Sequence, residues 1–180
     1  MSIYVKNFGD YEVKGVKSFV GMDGYGFNAT LYRKGKKVAF CIDEGCGGEV
    51  RIDWLAKTPK DVDDKEGWKK YHAAVKVEED LLDAHIATLP EVDGLKIDAG
   101  WFVTDCVSKY ELDRDARKMK KQCQTKILFR TSKQKNGGYM IIDAPFSDKA
   151  REHVLNKYGK DTEIFNDVFE NGGIPSVLQV

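Results

Sequence analysis

Hydrophobic and polar residues alternate with a period of two along the first third of the chain. The clearest example is Tyr25–Arg33, sequence YGFNATLYR, in which every second residue is apolar. Such alternation is typical of a half-buried β-strand. Three similar segments flank it, at Glu12–Val20, Lys36–Asp43 and Val50–Trp54, and Lys34-Gly35 is a tight-turn signal. Because strands joined by short turns pair as antiparallel neighbours, the pattern predicts a four-stranded antiparallel meander.

The apolar spacing becomes helical in the centre of the chain. Large apolar side chains recur at helical intervals from Trp68 to Leu89, after a capping box at Asp63-x-x-Glu66 and before Pro90. This places Glu78–Asp80 on the solvated side. A second helix is predicted from about Asp98, and its continuation over residues 111–124 is so rich in charge that we expect a solvated helical projection.

The last third returns to a strand pattern. Thr125–Thr131 and Gly138–Ala144 flank a basic loop and predict a β-hairpin, and Ser147 and Gly159 delimit a short amphipathic helix. The tail near Ile164–Phe169 stays ambiguous. The sequence therefore predicts a single α+β domain over residues 1–180: an antiparallel β-meander, two longer helices, a β-hairpin and a short C-terminal helix.

The charges of the chain cancel in sum but are segregated along its length. Residues 61–93 contain ten acids against four lysines, a net charge of −6, whereas residues 114–135 have a net charge of +8. Segregation of this kind suggests partners that are met through electrostatics.

The basic block is the candidate for binding a polyanion. Arg114, Arg117, Lys118 and Lys121 share one helical face by their spacing. The candidate residues are Arg114, Arg117, Lys118, Lys120, Lys121, Lys126 and Arg130, and the block continues to Lys133 and Lys135. Such a stripe could neutralise phosphates of DNA or RNA. Alternatively it packs alongside the acidic helix and only solvates the fold.

The acidic block also has two interpretations. Its candidate contact residues are Asp63, Asp64, Glu78, Glu79 and Asp80. They could imitate phosphates for a basic partner, or they could simply cap a helix and form its solvated face.

Other chemistry is poorly supported by the sequence. Cys41 and Cys46 have no second pair of ligands, so no zinc site is predicted, and no cofactor motif is present. Cys46 lies among acids that disfavour a thiolate nucleophile. A metal-dependent hydrolase or nuclease that uses Asp43, Glu44 and Asp53 is the remaining enzymatic alternative.

Location is suggested by what the chain lacks. No apolar run approaches the length of a membrane helix, and the first residues have no signal-peptide pattern. We therefore expect a cytoplasmic protein with reduced cysteines and no membrane partner.

Four segments resemble small proteins of bacterial phages and mobile elements. They are Gly24–Trp54, Lys126–Ser132, Gly137–Ser147 and Arg151–Gly159. In particular, the chain looks like the type II anti-CRISPR proteins, which inhibit Cas9. The resemblance implies a non-enzymatic inhibitor that acts in the cytoplasm of a bacterial host cell, where it binds the Cas9–guide RNA complex and blocks DNA targeting or cleavage. It implies no catalytic residues. The competing function is a DNA- or RNA-binding accessory protein that uses segment 114–135.

Overall fold

The computed structural model describes residues 3–134 and 138–179. Its internal contacts divide the chain into two compact units, Met1–Tyr110 and Glu111–Val180. The mixed content of helices and strands confirms the predicted α+β class. Whether residues 1–180 behave as one domain, as the sequence predicts, is not tested by this division into two units, so the single domain stays a prediction.

The first unit contains the predicted meander. Strands β1 (Tyr11–Val20), β2 (Tyr25–Arg33), β3 (Lys36–Asp43) and β4 (Arg51–Trp54) form one antiparallel sheet in sequence order. Lys34 and Gly35 both adopt positive φ, as a tight two-residue hairpin turn requires. The period-two pattern of β2 is confirmed from Phe27 to Leu31, because Phe27, Ala29 and Leu31 are buried, whereas Tyr25 at the start of the strand is 77% exposed.

Helix α1 (Lys65–Ile86) begins one residue later than the capping box predicts. Asp64, not Asp63, is the N-cap: its Oδ1 accepts a hydrogen bond from the Gly67 backbone N–H at 2.8 Å. The predicted position was wrong because two adjacent aspartates offer the same cap chemistry. Only Leu82 and Ile86 of this helix are buried, so its C-terminal part supplies most of its packing.

Helix α2 (Ala99–Cys123) begins where the sequence predicts. Asp98 Oδ1 accepts the Trp101 backbone N–H at 2.7 Å and so satisfies a free donor of the first turn. The first half of the helix buries Phe102, Val103 and Val107 against the sheet and α1, together with Leu31 and Leu82. This cluster is the core of the first unit.

The second unit combines a small sheet with short helices. Strands β5 (Ile127–Arg130) and β6 (Met140–Ile142) form the predicted hairpin, and β7 (Glu163–Ile164) adds a strand that the sequence did not reveal. Helix α3 (Asp148–Tyr158) has the predicted Ser147 cap, and Gly159 follows its last residue with a positive φ. Helix α4 (Phe165–Glu170) and a 3-10 turn at Ser176–Leu178 complete this unit.

The charged end of α2 is packed along one side. Met119 is 8% exposed and contacts a cluster that contains Leu128, Phe165 and Leu178. Leu112, Ala116 and Cys123 pack partly against the same cluster. The expectation of a fully solvated projection overlooked this interrupted apolar row, whose members are spaced three or four residues apart.

Across the described residues, no helix combines the length and the apolar character that crossing a membrane requires.

Candidate functional site

The basic residues of α2 lie around a helix whose opposite side is packed. Arg117, Lys118, Lys120 and Lys121 are all exposed, and Arg114 is half-buried. At about 100° per residue, Met119 points away from the row formed by Arg117, Lys118 and Lys121. Burial of Met119 therefore directs that row towards solvent. We call Arg117, Lys118, Lys120 and Lys121 the basic surface.

Carboxylates on the same helix compensate part of the basic row. Arg114 lies 3.2 Å from Asp115 and 3.7 Å from Glu111, and Lys118 lies 3.8 Å from Asp115. Among the described residues, Arg117, Lys120 and Lys121 form no ion pair or hydrogen bond of their side chains. Three of the four members of the basic surface are thus uncompensated.

The other predicted basic residues have roles within the second unit. Lys126 Nζ lies 3.4 Å from the Asp143 carboxylate, across the β5–β6 hairpin. The Arg130 guanidinium donates to the Gln134 carbonyl at 3.3 Å and to Ser176 Oγ at 3.5 Å. Lys133 is exposed, and its charge contributes, after hydrogen bonds from Ser132 and the backbone, to a lowered pKa of Asp161. Lys135 lies outside the described residues.

The acidic candidates separate into three kinds. Asp63 is exposed and Asp64 caps α1, as the non-functional interpretation requires. Asp80 pairs with Lys76 at 2.9 Å on the exposed side of the helix. Glu78 and Glu79 are both half-buried, but Glu78 accepts two hydrogen bonds from Arg33 whereas Glu79 has no such partner among the described residues.

Residues of the enzymatic alternative do not converge. Asp43 Oδ1 accepts the Gly45 backbone N–H at 2.8 Å, and Asp53 lies 3.2 Å from Arg51. Glu44 is exposed at the start of the β3–β4 loop. In the described part of the chain, no three side chains of the metal-binding types His, Cys, Asp and Glu group around a common point.

The thiols are free and differ in burial. Cys41 and Cys106 are buried in the first unit, Cys123 is half-buried, and Cys46 is exposed. Burial raises the pKa of Cys41 to about 12 and that of Cys123 to about 11, and it raises the pKa of Cys106 as well. These three thiols are protonated at neutral pH, which disfavours thiolate chemistry at them.

A cleft of about 680 Å³ in the first unit was not predicted from the sequence. It is lined by the β3–β4 loop and β4, by α1 and by the first turns of α2, with Trp54 and Trp101 among the lining residues. The sequence signal for this region was the alternation of β4, which placed Val50, Ile52 and Trp54 on one face of the strand but did not show that a cleft lies there. Segments so far apart in sequence give no periodic pattern that would reveal the cleft.

Comparison of the chain with protein-family models, with curated proteins and with solved structures found no match, so no family is assigned.

Proposed function

We propose that this chain is a non-enzymatic binding protein that attaches to a nucleic-acid-processing complex through the basic surface of α2. The specific partner suggested by the resemblance is the Cas9–guide RNA complex. Binding there would block DNA targeting or cleavage.

The observation that supports this proposal is that α2, which is packed along one side, carries on its other sides exposed cations that have no carboxylate partner in the described part of the chain. Arg117, Lys120 and Lys121 are exposed and have no carboxylate partner among the described residues. Met119 holds the opposite side of the helix against apolar residues, so the cations are displayed without any rearrangement of the backbone. Contacts from lysine and arginine to phosphates release counterions, and this gives binding that weakens steeply with salt.

A second candidate function uses the same observation. A DNA- or RNA-binding accessory protein would present its cations in the same way and would bind nucleic acid directly. In a Cas9 complex, by contrast, guide RNA and target DNA are enclosed by a protein channel that reads their backbone. The two functions therefore differ in whether free nucleic acid is sufficient for binding.

The test is a binding and cleavage experiment with three ligands: guide-loaded Cas9, apo Cas9 and free guide RNA. The proposal expects retention of guide-loaded Cas9, weaker retention of the other two, and inhibition of target cleavage. Direct binding of free guide RNA with a steep salt slope, without inhibition, would instead establish the accessory function. No binding to any of the three contradicts the Cas9 function and an RNA-binding accessory function, and a gel-shift titration with duplex DNA then tests the DNA-binding form of the accessory function.

Charge reversal at the basic surface locates the contact. The variant Lys118→Glu, Lys120→Glu, Lys121→Glu should lose inhibition while remaining folded, because all three side chains are exposed. The matched control reverses the same number of exposed lysines elsewhere in the second unit, as Lys149→Glu, Lys157→Glu, Lys160→Glu. Full inhibition by the first variant would remove the basic surface from the proposal.

A further inference from the structure

The cleft of the first unit has the size and shape of a ligand site. Its volume of about 680 Å³ lies within the range of about 300 to 1,000 Å³ that is usual for binding sites. Its apolar lining includes Val50, Ile52 and Leu82 besides the two tryptophans. The cleft lies entirely within the first unit and is separate in sequence from the basic surface.

Every ionisable side chain that lines this cleft is acidic. Among the described residues, no lysine, arginine or histidine lines the cleft. Its five carboxylates are those of Asp43, Glu49, Glu79, Asp83 and Asp98. A concave site with charges of one sign focuses the field and raises the local concentration of ligands of the opposite sign. The cleft therefore favours a cation.

Two of the five carboxylates accept hydrogen bonds from the backbone of the chain itself. Asp43 accepts a hydrogen bond from the Gly45 backbone N–H, and Asp98 caps α2 through the Trp101 backbone N–H. Because Asp98 satisfies a free donor there, the helix terminus contributes less positive potential to the cleft. Glu49, Glu79 and Asp83 form no hydrogen bond or ion pair of their carboxylates in the described part of the chain.

The adjacent residues Glu78 and Glu79 differ in whether the carboxylate has a cationic partner. Both side chains are half-buried on α1. Glu78 is neutralised by Arg33 at two distances of 2.8 Å, whereas Glu79 lines the cleft without such a partner. A guanidinium brought by a ligand would give Glu79 the kind of partner that Glu78 already has in Arg33.

The two tryptophans specify the kind of cation. Trp54 and Trp101 are half-buried, so each indole lines the cleft while part of it stays accessible. Tyr4 packs edge-on against Trp101, with ring centroids 5.5 Å apart, and this contact holds the indole in place. Indole faces attract cations, and the planar guanidinium of arginine both stacks on them and forms paired hydrogen bonds with carboxylates.

We propose that this cleft binds an arginine-rich segment of a partner protein, with a guanidinium against the tryptophan-lined wall and in contact with Glu79 and Asp83. Such a peptide supplies the missing positive charge and also a planar group that matches the indoles. This inference goes beyond the proposed function, because it assigns a second site of opposite charge in the other unit. It holds whether or not the partner complex is Cas9.

The experiment uses the fluorescence of the tryptophans as its readout. The chain has three tryptophans, and Trp68 on α1 is the one that does not line the cleft. In the variant Trp68→Phe of the 180-residue chain, the remaining indole signal comes from Trp54 and Trp101. The probes are N-acetylated tetra-arginine amide and spermine, which have the same number of positive charges, titrated at an ionic strength of about 0.05 M to limit screening.

Two double variants in this background separate the cleft from overall charge. Glu79→Gln with Asp83→Asn removes two cleft carboxylates and keeps the shapes of the side chains. Glu66→Gln with Asp80→Asn removes two exposed carboxylates of the same helix that pair with Lys70 and Lys76. Circular dichroism checks that both variants are folded.

We expect tetra-arginine to change the indole emission and to bind more tightly than spermine. The cleft variant should weaken this binding by about tenfold, as expected for loss of a charge-assisted contact, and the control by less than about twofold. Equal losses in the two variants, or no change of emission with tetra-arginine, would overturn the proposal. Spermine binding as tightly as tetra-arginine would overturn the assignment to a protein segment and identify a free polyamine as the ligand.

Discussion

Glu78 on α1 and Arg33 on β2 form a two-point ion pair, with Arg33 Nε 2.8 Å from Oε2 and Nη2 2.8 Å from Oε1. Both side chains are about three-quarters shielded from solvent, at 21% and 25% exposed. Because α1 buries only Leu82 and Ile86, this pair supplies one of the main attachments of the helix to the sheet. Parallel hydrogen bonds to a guanidinium also fix the orientation of both groups.

The first prediction follows from that attachment. Glu78→Gln should lower the free energy of unfolding by about 1 to 2 kcal/mol, since the shielded guanidinium loses its countercharge. Urea unfolding followed by circular dichroism measures the change. Glu79→Gln is the matched control on the adjacent residue and should change stability by less than about 0.5 kcal/mol. Equal effects of the two variants would show that the ion pair contributes nothing specific.

The second prediction concerns the anchoring of the N-terminal segment by Asp105. Its Oδ2 accepts hydrogen bonds from the backbone N–H groups of Tyr4 and Val5, each at 2.8 Å. Asp105 is buried, with 2% of the residue exposed. Asp105→Ala leaves those donors unsatisfied and should cost about 2 to 4 kcal/mol of unfolding free energy. Asp105→Asn keeps a carbonyl oxygen in the same position and should cost less.

Hydrogen exchange at the Val5 amide tests this anchor directly. In Asp105→Ala the amide should exchange faster than in the unsubstituted protein, whereas amides of β2 should keep their protection until global unfolding. A Val5 amide as protected in Asp105→Ala as in Asp105→Asn would contradict the assigned role.

Elements with several turns or pairs of residues were predictable, because each has a complete period in its own sequence. The alternation of β2 is of this kind, and the starts of α2 and α3 have in addition a local cap signal, at Asp98 and at Ser147. Strand β7 is not of this kind, since Glu163–Ile164 is too short to show any period and is defined only by pairing with β5. The fold class could therefore be predicted because the longer elements show their period, whereas β7 could not be predicted because it is too short to show one.

Roles that depend on distant residues could not be predicted. The sequence places Glu78 on the solvated side of α1, but its role depends on Arg33, which is 45 positions away. The basic surface was visible as a run of cations, yet the burial of Met119 that orients it depends on Phe165 and Leu178. Sequence patterns report local period and charge, whereas compensation of charge depends on tertiary contacts.

The third prediction concerns Asn166, which connects three segments of the second unit. Its Oδ1 accepts the Leu128 N–H at 3.0 Å, and its Nδ2 donates to the Cys123 and Lys126 carbonyls, each at 2.9 Å. The residue is 3% exposed. It thereby fixes the turn that leads from α2 into β5.

Asn166→Asp should destabilise the protein strongly although aspartate and asparagine have nearly the same shape. Asn166→Asp puts an oxygen opposite the two carbonyls, so we expect a loss of about 2 to 4 kcal/mol of unfolding free energy at neutral pH. Because the protonated acid can donate, part of the loss should be recovered as the pH falls towards about 4. Asn171→Asp is the control, since Asn171 is exposed and, in the part of the chain that the structure describes, its side chain donates to the Asp167 carbonyl alone. A variant Asn166→Asp as stable as Asn171→Asp would contradict this role.

The fourth prediction is a loss of stability in alkaline solution caused by buried thiols. Burial, with a smaller contribution from Asp53, raises the pKa of Cys41 from 9.0 to about 12, and burial also raises the pKa of Cys106. Below pH 9 both states of the protein keep these protons, so the thiols add no pH dependence. Between pH 9 and pH 12 the unfolded chain releases the protons and the folded chain retains them. Each thiol should therefore lower the free energy of unfolding by about 1.4 kcal/mol per pH unit in this window.

Urea unfolding at pH 7.5, 9 and 10 measures this slope, and variants assign it. Cys41→Ala should be less stable at pH 7.5 because it leaves a small cavity, but it should lose less stability between pH 9 and pH 10 than the unsubstituted protein does. Cys46→Ala is the matched control, since Cys46 is exposed and should leave both the stability and the slope unchanged. Tyr11, whose pKa is raised by burial from 10.0, contributes equally in all three proteins and so drops out of the comparison. Equal slopes in Cys41→Ala and Cys46→Ala would show that the buried thiol is not the group that titrates on unfolding.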